Sequence, residues 1–141
     1  MTASHATPQR ILIAEDDPDD RRLLADAFQQ SGIGCSIEFA NDGEDLLRCL
    51  DSSPELPRLV LLDLNMPRMD GREALQRMRS DPRFARLPVV VMSTSAAEDD
   101  ESRSHRAGCS AYFVKPVDFG ALLDLVGVIG RRWLSPPREA P

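Results

Sequence analysis

The chain is poor in the residues that would make it a disulfide scaffold, a zinc protein or a membrane protein. Among 141 residues there are three cysteines, Cys35, Cys49 and Cys109. They are odd in number, widely spaced and without a Cys-x-x-Cys pairing, so no disulfide framework or zinc site is indicated, and a reducing cytoplasm is the simpler setting. No apolar stretch approaches the ~20 residues that a membrane span requires, so no membrane partner is expected. Residues 1–9 lack the basic start and apolar centre of a signal peptide and read as a loose tail. Basic charge is also short. Seventeen Lys and Arg face 23 Asp and Glu, for a net charge of -6 and a pI near 4.9. That balance disfavours the phosphate backbone of a nucleic acid as a direct partner. Of two histidines, His5 lies in the tail and His105 in a polar segment, leaving no imidazole for a transition-metal site.

What remains is an ordinary soluble composition, 42% hydrophobic and 28% charged, in a length that suits one domain. The domain is placed at residues 10–134, and the proline-rich 135–141 reads as a second loose tail. Apolar runs of strand length recur at 11–14, 37–40, 59–62, 89–92 and 111–114. Between them lie segments with apolar residues at i, i+3, i+4 steps: Leu23, Leu24, Ala27 and Phe28; Leu46, Leu47 and Leu50; Ala74, Leu75 and Met78. Strands that are apolar almost throughout suit a parallel sheet covered on both faces. Right-handed crossovers then give an α/β, doubly wound five-stranded sheet in the order 2-1-3-4-5. Asp17-Pro18 and Asp70-Gly71 have the form of helix starts.

Two helical segments are unusual. The stretch 97–107 has almost no apolar face, so packing holds it weakly and it should be the most mobile element. From Phe119 onward, by contrast, there are more apolar residues than one sheet face needs. Leu122, Leu125, Val126, Val128, Ile129, Trp133 and Leu134 would offer a two-fold homodimer surface. A broad stripe lying in a deep groove of its own domain is the other reading of the same residues.

The chemistry sits at strand ends. Asp63 follows Leu59-Val60-Leu61-Leu62; Glu15-Asp16-Asp17 follow Ile11-Leu12-Ile13-Ala14; Lys115-Pro116 follow Ala111-Tyr112-Phe113-Val114. In a parallel sheet these ends share one crevice, the place where open α/β sheets bind ligands. Gathered carboxylates need a compensating cation, and hard oxygen donors favour Mg2+, with Glu15, Asp16 and Asp63 as anchors and Asp17 left to helix capping. Beside such an ion Asp63 can attack a phosphoryl donor to give an aspartyl phosphate. Lys115 would meet the same oxygens as a point charge, and a hydroxyl in Met92-Ser93-Thr94-Ser95 could hydrogen-bond the new group.

At these residues the chain resembles the receiver domains of two-component response regulators, a flavodoxin-like fold, over nearly everything from Arg10 to Trp133. The resemblance implies Asp63 as phosphoacceptor, and Glu15, Asp16, Asp63 and the backbone carbonyl of Asn65 around Mg2+. It further implies Ser93, beside Thr94, as the hydroxyl switch, Tyr112 as the aromatic switch, Lys115 as the phosphoryl-contacting cation, and a cis bond before Pro116. Partners implied are a sensor histidine kinase and a second copy bound through the last helix. The function is then signalling through a phosphorylation-dependent α4-β5-α5 surface, not an enzyme's turnover, with only slow self-phosphorylation and self-dephosphorylation. The 51–58 loop, Ser80-Asp81-Pro82, Ser93-Thr94-Ser95 and Arg132-Trp133-Leu134 look like the stand-alone regulators paired with bacteriophytochrome kinases. The rivals are a Mg2+-dependent phosphohydrolase, a phosphate sink or relay, and an unphosphorylated docking module. The hydrolase is disfavoured because Asn65 stands where a general acid is needed.

Overall fold

A computed structural model describes residues 9–64, 71–94 and 98–134. Ten elements alternate strictly: β1 (Gln9–Ala14), α1 (Pro18–Gln30), β2 (Cys35–Ala40), α2 (Gly43–Ser52), β3 (Leu59–Asp63), α3 (Gly71–Ser80), β4 (Val89–Ser93), α4 (Glu98–Ala107), β5 (Ala111–Val114) and α5 (Phe119–Trp133). The strands form one parallel sheet in the order β2-β1-β3-β4-β5, as the apolar runs predict. β1 begins at Gln9, which pairs with Cys35, so the sheet takes one residue assigned to the tail. Residues 1–8 and 135–141, which carry the remainder of both tail assignments, lie outside the described residues.

Position in the sheet explains the strand compositions. β3 and β4 are flanked on both edges and covered on both faces, and all five residues of each are buried. β2 is an edge strand whose exposed and half-buried residues alternate, which is why its first two residues, Cys35 and Ser36, escape a search for continuous apolar runs.

The core is divided by the sheet. Ile11, Ile13, Leu59, Leu61, Val90 and Met92 face α1 and α5, against Leu24, Phe28, Leu122, Val126 and Ile129. Leu12, Val60, Leu62, Val89 and Val91 face the other way, against Leu46, Leu50, Ala74, Leu75 and Met78 of α2 and α3 and Ala107 of α4. Aspartates begin three helices: Asp17 accepts from the Asp19 N–H at 2.9 Å, Asp42 from Asp45 at 2.8 Å and Asp118 from Ala121 at 2.8 Å. Asp70, expected to play the same part for α3, lies outside the described residues.

One expectation is corrected here, and another is narrowed to fewer residues. The described residues contain no cis peptide bond, so the step from Lys115 to Pro116 is trans. Trans is the default even before proline, by ~0.5–1 kcal/mol, a margin too small to be read from sequence. The last helix does not present its apolar residues as one surface. Leu122, Val126, Ile129 and Leu134 are buried in the domain's own core, Leu125 and Trp133 are half-buried against it, and Val128 is exposed. A helix in a deep groove buries a wider arc than one stripe.

Candidate functional site

Each expected group comes from a strand end, and local backbone bonds fix the positions. β1 ends at Ala14, and Glu15 continues its ladder by donating its N–H to the Ala40 carbonyl at 3.0 Å. Arg21, one turn into α1, donates from Nε to the Glu15 carbonyl at 2.5 Å and from Nη2 to Asn41 Oδ1 at 2.6 Å, with its guanidinium 5.2 Å above the Phe39 ring. The acidic turn is thereby tied to α1 and to the loop after β2. Asp63 closes β3, buried, paired in register with Met92. A Cβ added at Gly71 would lie 3.0 Å from the Asp63 carbonyl oxygen and 2.9 Å from Leu64 Cδ2, so this close approach of α3 to the strand end requires glycine. Lys115 follows β5, and its N–H donates to the Ser93 carbonyl at 2.7 Å.

These ends do converge. Lys115 Nζ donates to Glu15 Oε1 at 2.7 Å, Asp20 Oδ2 at 2.8 Å and Asp63 Oδ2 at 3.2 Å, which uses the three hydrogens of an ammonium. Glu15 Oε2 in turn accepts from the Asp17 N–H at 3.1 Å. Burial pushes the Glu15 carboxyl up to about 7; the bonds from Lys115 and the Asp17 N–H work against this, and the neighbouring Asp63 charge adds to it. Burial also works against the charge on Lys115, but the hydrogen bonds it donates to Asp20 and Glu15 and the nearby Asp63 outweigh it, and its pKa stands above the ordinary lysine range. The arrangement is short of positive charge: one ammonium answers three carboxylates, with Asp16 and Asp17 exposed at the rim.

The crevice above Asp63 has a volume of about 620 Å³ and is lined by Glu15, Asp16, Asp17, Pro18, Asp20, Asp63, Thr94 and Lys115. That is room for a phosphoryl group and part of its donor. A cation fits the chemistry of the donors, which are carboxylates of the kind that hard oxygen-seeking ions prefer, in surplus over the lysine. Among the described residues no three such side chains stand together at ligand spacing, because Glu15 and Asp63 are both drawn onto Lys115. Asn65 lies outside the described residues.

Of the other expected groups, Ser93 is buried at the end of β4, Thr94 is exposed on the crevice lining, and Tyr112 is half-buried against the core that Ala107 of α4 shares. Asp20 was not anticipated. It stands in the first turn of α1, where acidic residues have a sufficient explanation in the helix dipole. No spacing signal marks it, because Asp16 lies before the N-cap Asp17 and outside the helix.

Comparison with known proteins agrees with this geometry. The family model for the response regulator receiver domain matches residues 11–127. Response regulator Rcp1 of Synechocystis is 35% identical over 140 residues, 96% of this chain and 95% of the relative. The crystal structure of the phosphorylated cyanobacterial phytochrome response regulator RcpA superposes with a TM-score of 0.84 at 35% identity, covering 92% of this chain and 96% of that one. The Mn2+-bound form of Rcp1 superposes with a TM-score of 0.81 at 33% identity over 93% of this chain and all of the other. Receiver domains bind Mg2+ or Mn2+ at an acidic pocket and are paired with sensor histidine kinases. The protein belongs to the response regulator receiver family and is a two-component signalling protein.

Proposed function

We propose that Asp63 accepts a phosphoryl group from the phosphohistidine of a sensor kinase, and that the phosphorylated domain signals through a changed α4-β5-α5 surface. The observation that carries this reading is the buried Asp63 carboxylate at the end of the central strand, 3.2 Å from the Lys115 ammonium at the floor of the crevice. In the transfer an Asp63 carboxylate oxygen forms the new O–P bond as the P–N bond of the donor breaks, and the electron pair stays on the imidazole nitrogen. Lys115 stabilises charge on the phosphoryl oxygens in transit. Glu15, Asp16 and Asp63 would hold Mg2+. Neutralisation of charge on the transferring oxygens is the chemistry that bound Mg2+ would supply.

After transfer, Ser93 turns its hydroxyl toward a phosphoryl oxygen and Tyr112 follows into the vacated space. The two states then differ in their contacts to phosphate, which is what a population shift requires. Ser93 is one residue from the crevice lining at Thr94, and Tyr112 already packs into the core that receives α4. The phosphoryl group is gained slowly from small donors and lost slowly to water. The likeness to a phytochrome response regulator supports a bacteriophytochrome kinase as the donor in the cytoplasm, and the exposed Val128 with half-buried Leu125 and Trp133 supports a homodimer built on α5.

Intact mass after exposure to phosphoramidate tests the central step. One phosphoryl adduct on the parent, dependent on Mg2+ and absent from Asp63→Asn, is the expected result. A folded parent that takes no adduct, or an adduct retained by Asp63→Asn, would overturn it.

A further inference from the structure

Away from the crevice, one charge feature of this acidic chain is basic. A groove of about 660 Å³ runs between α3 and α4, lined by Arg72, Glu73, Gln76, Arg79, Ser80, Arg103, Arg106 and Ala107. Four guanidiniums stand against one carboxylate, on a protein whose net charge is -6. On α3 the residues follow the i, i+4, i+7 steps of a single helix face, and on α4 Arg103 and Arg106 are one turn apart.

The arginines are not equivalent. Arg72 Nη1 pairs with Asp100 at 3.2 Å. Arg79 is held in place by the Gly108 carbonyl at 2.9 Å from Nε and the Phe84 carbonyl at 2.8 Å from Nη1. Arg103 and Arg106 are exposed and make no ion pair among the described residues. The groove therefore has a neutralised end at Arg72, near the start of α3, and an uncompensated end around Arg79, Arg103 and Arg106. Gly108 and Phe84 precede β5 and β4, whereas Asp63 closes β3, so the uncompensated end lies at the opposite ends of the strands from Asp63.

We propose that this groove docks an extended, acidic segment of a partner protein, with its carboxylates at the Arg79, Arg103 and Arg106 end. The groove is elongated: Arg72 at its neutralised end and Arg79 at the other are seven residues apart, roughly 10 Å of helix. An extended chain covers that length with about three residues. Gln76 places an amide between Arg72 and Arg79, where main-chain groups of such a segment would pass. A nucleic acid brings a long run of phosphates to a chain that repels it at distance, whereas a short acidic segment feels chiefly the local arginines. A segment bound there leaves the Asp63 crevice open, so docking and phosphoryl transfer are compatible in one complex.

Fluorescence anisotropy of a fluorescein-labelled octaglutamate peptide with the full chain is the test, run at low salt and again at about 0.15 M salt. Arg103→Glu/Arg106→Glu should weaken binding by roughly tenfold or more, and Arg103→Gln/Arg106→Gln by less. Both residues are exposed, so neither variant disturbs the core. Arg131→Glu/Arg132→Glu, an exposed pair on α5, should bind as the parent does. Equal losses in the α4 and α5 reversals, tighter binding of octathymidylate than of octaglutamate, or no binding by the parent would each overturn the proposal.

Discussion

α4 and α5 lie on opposite faces of the sheet, and they are held by different forces. α5 buries Leu122, Val126, Ile129 and Gly130, and its first turn is capped by Asp118. At ~1.5–3 kcal/mol for each large apolar side chain, that burial contributes several kcal/mol. α4 buries only Ser104 and Ala107, and the Ser104 hydroxyl is spent on the Asp100 carbonyl of its own helix at 2.8 Å. Its helicity has a local source. Glu98, Asp99, Asp100 and Glu101 complement the positive end of the helix dipole, and His105 and Arg106 the negative end. α4 is thus helped by the charges at its own ends and fixed in position by little, whereas α5 is fixed by the core. A switch that costs only a few kcal/mol can displace the first and not the second.

The largest test of this contrast is a matched pair of truncations. Ile129→Ala removes a wholly buried side chain and should lower unfolding stability by about 3 kcal/mol, read by urea denaturation. Ala107→Gly, at the one apolar residue that α4 buries, should cost about 1 kcal/mol through helix propensity and a lost methyl. Equal costs would remove the distinction.

The second test uses Cys109, which follows α4 and donates its N–H to the Ser104 carbonyl at 3.0 Å. Burial pushes its thiol from 9.0 up to about 11, against the lowering effect of the nearby Arg79. A raised thiol pKa leaves less thiolate, so at pH 8 the reactive fraction is about a hundredfold below that of an ordinary thiol. Alkylation of Cys109 by iodoacetamide should be slow by that factor and rise tenfold per pH unit toward 11. If α4 leaves its seat on phosphorylation, the same reaction should accelerate. A Cys109 rate equal to that of an unfolded peptide throughout would show that α4 does not cover it.

The contrast between the helices was only half legible in the sequence. The polar run in α4 announces weak packing directly, because a helix without apolar residues has nothing to bury. The surplus in α5 does not reveal which residues are covered. Leu122, Val126 and Ile129 follow i, i+4, i+7 and turn inward, while Leu125 and Val128 continue the same apolar arc toward solvent, and only the neighbouring helix decides where the arc is cut. The sheet and the crevice read better. Continuous apolar runs fix the buried strands, and the polar residue that ends each run must stand at the sheet's edge, which is how Glu15, Asp63 and Lys115 could be found. Asp20 could not be found that way, since it reaches the crevice from a helix.

The smallest expected effect concerns the Arg72–Asp100 ion pair, which ties α4 to α3. Arg72 and Asp100 are about one-third exposed and 3.2 Å apart. Exposed pairs of this kind contribute about 0.2–1 kcal/mol, so Arg72→Ala should barely move the urea midpoint. Its effect on position should be larger than its effect on stability, because α4 has few other attachments. Amide hydrogen exchange checks this: faster exchange within α4 in Arg72→Ala, with α5 unchanged, is the expected pattern. Equal acceleration in both helices would mean that α4 and α5 open together, and that the core, and not this ion pair, governs where α4 sits.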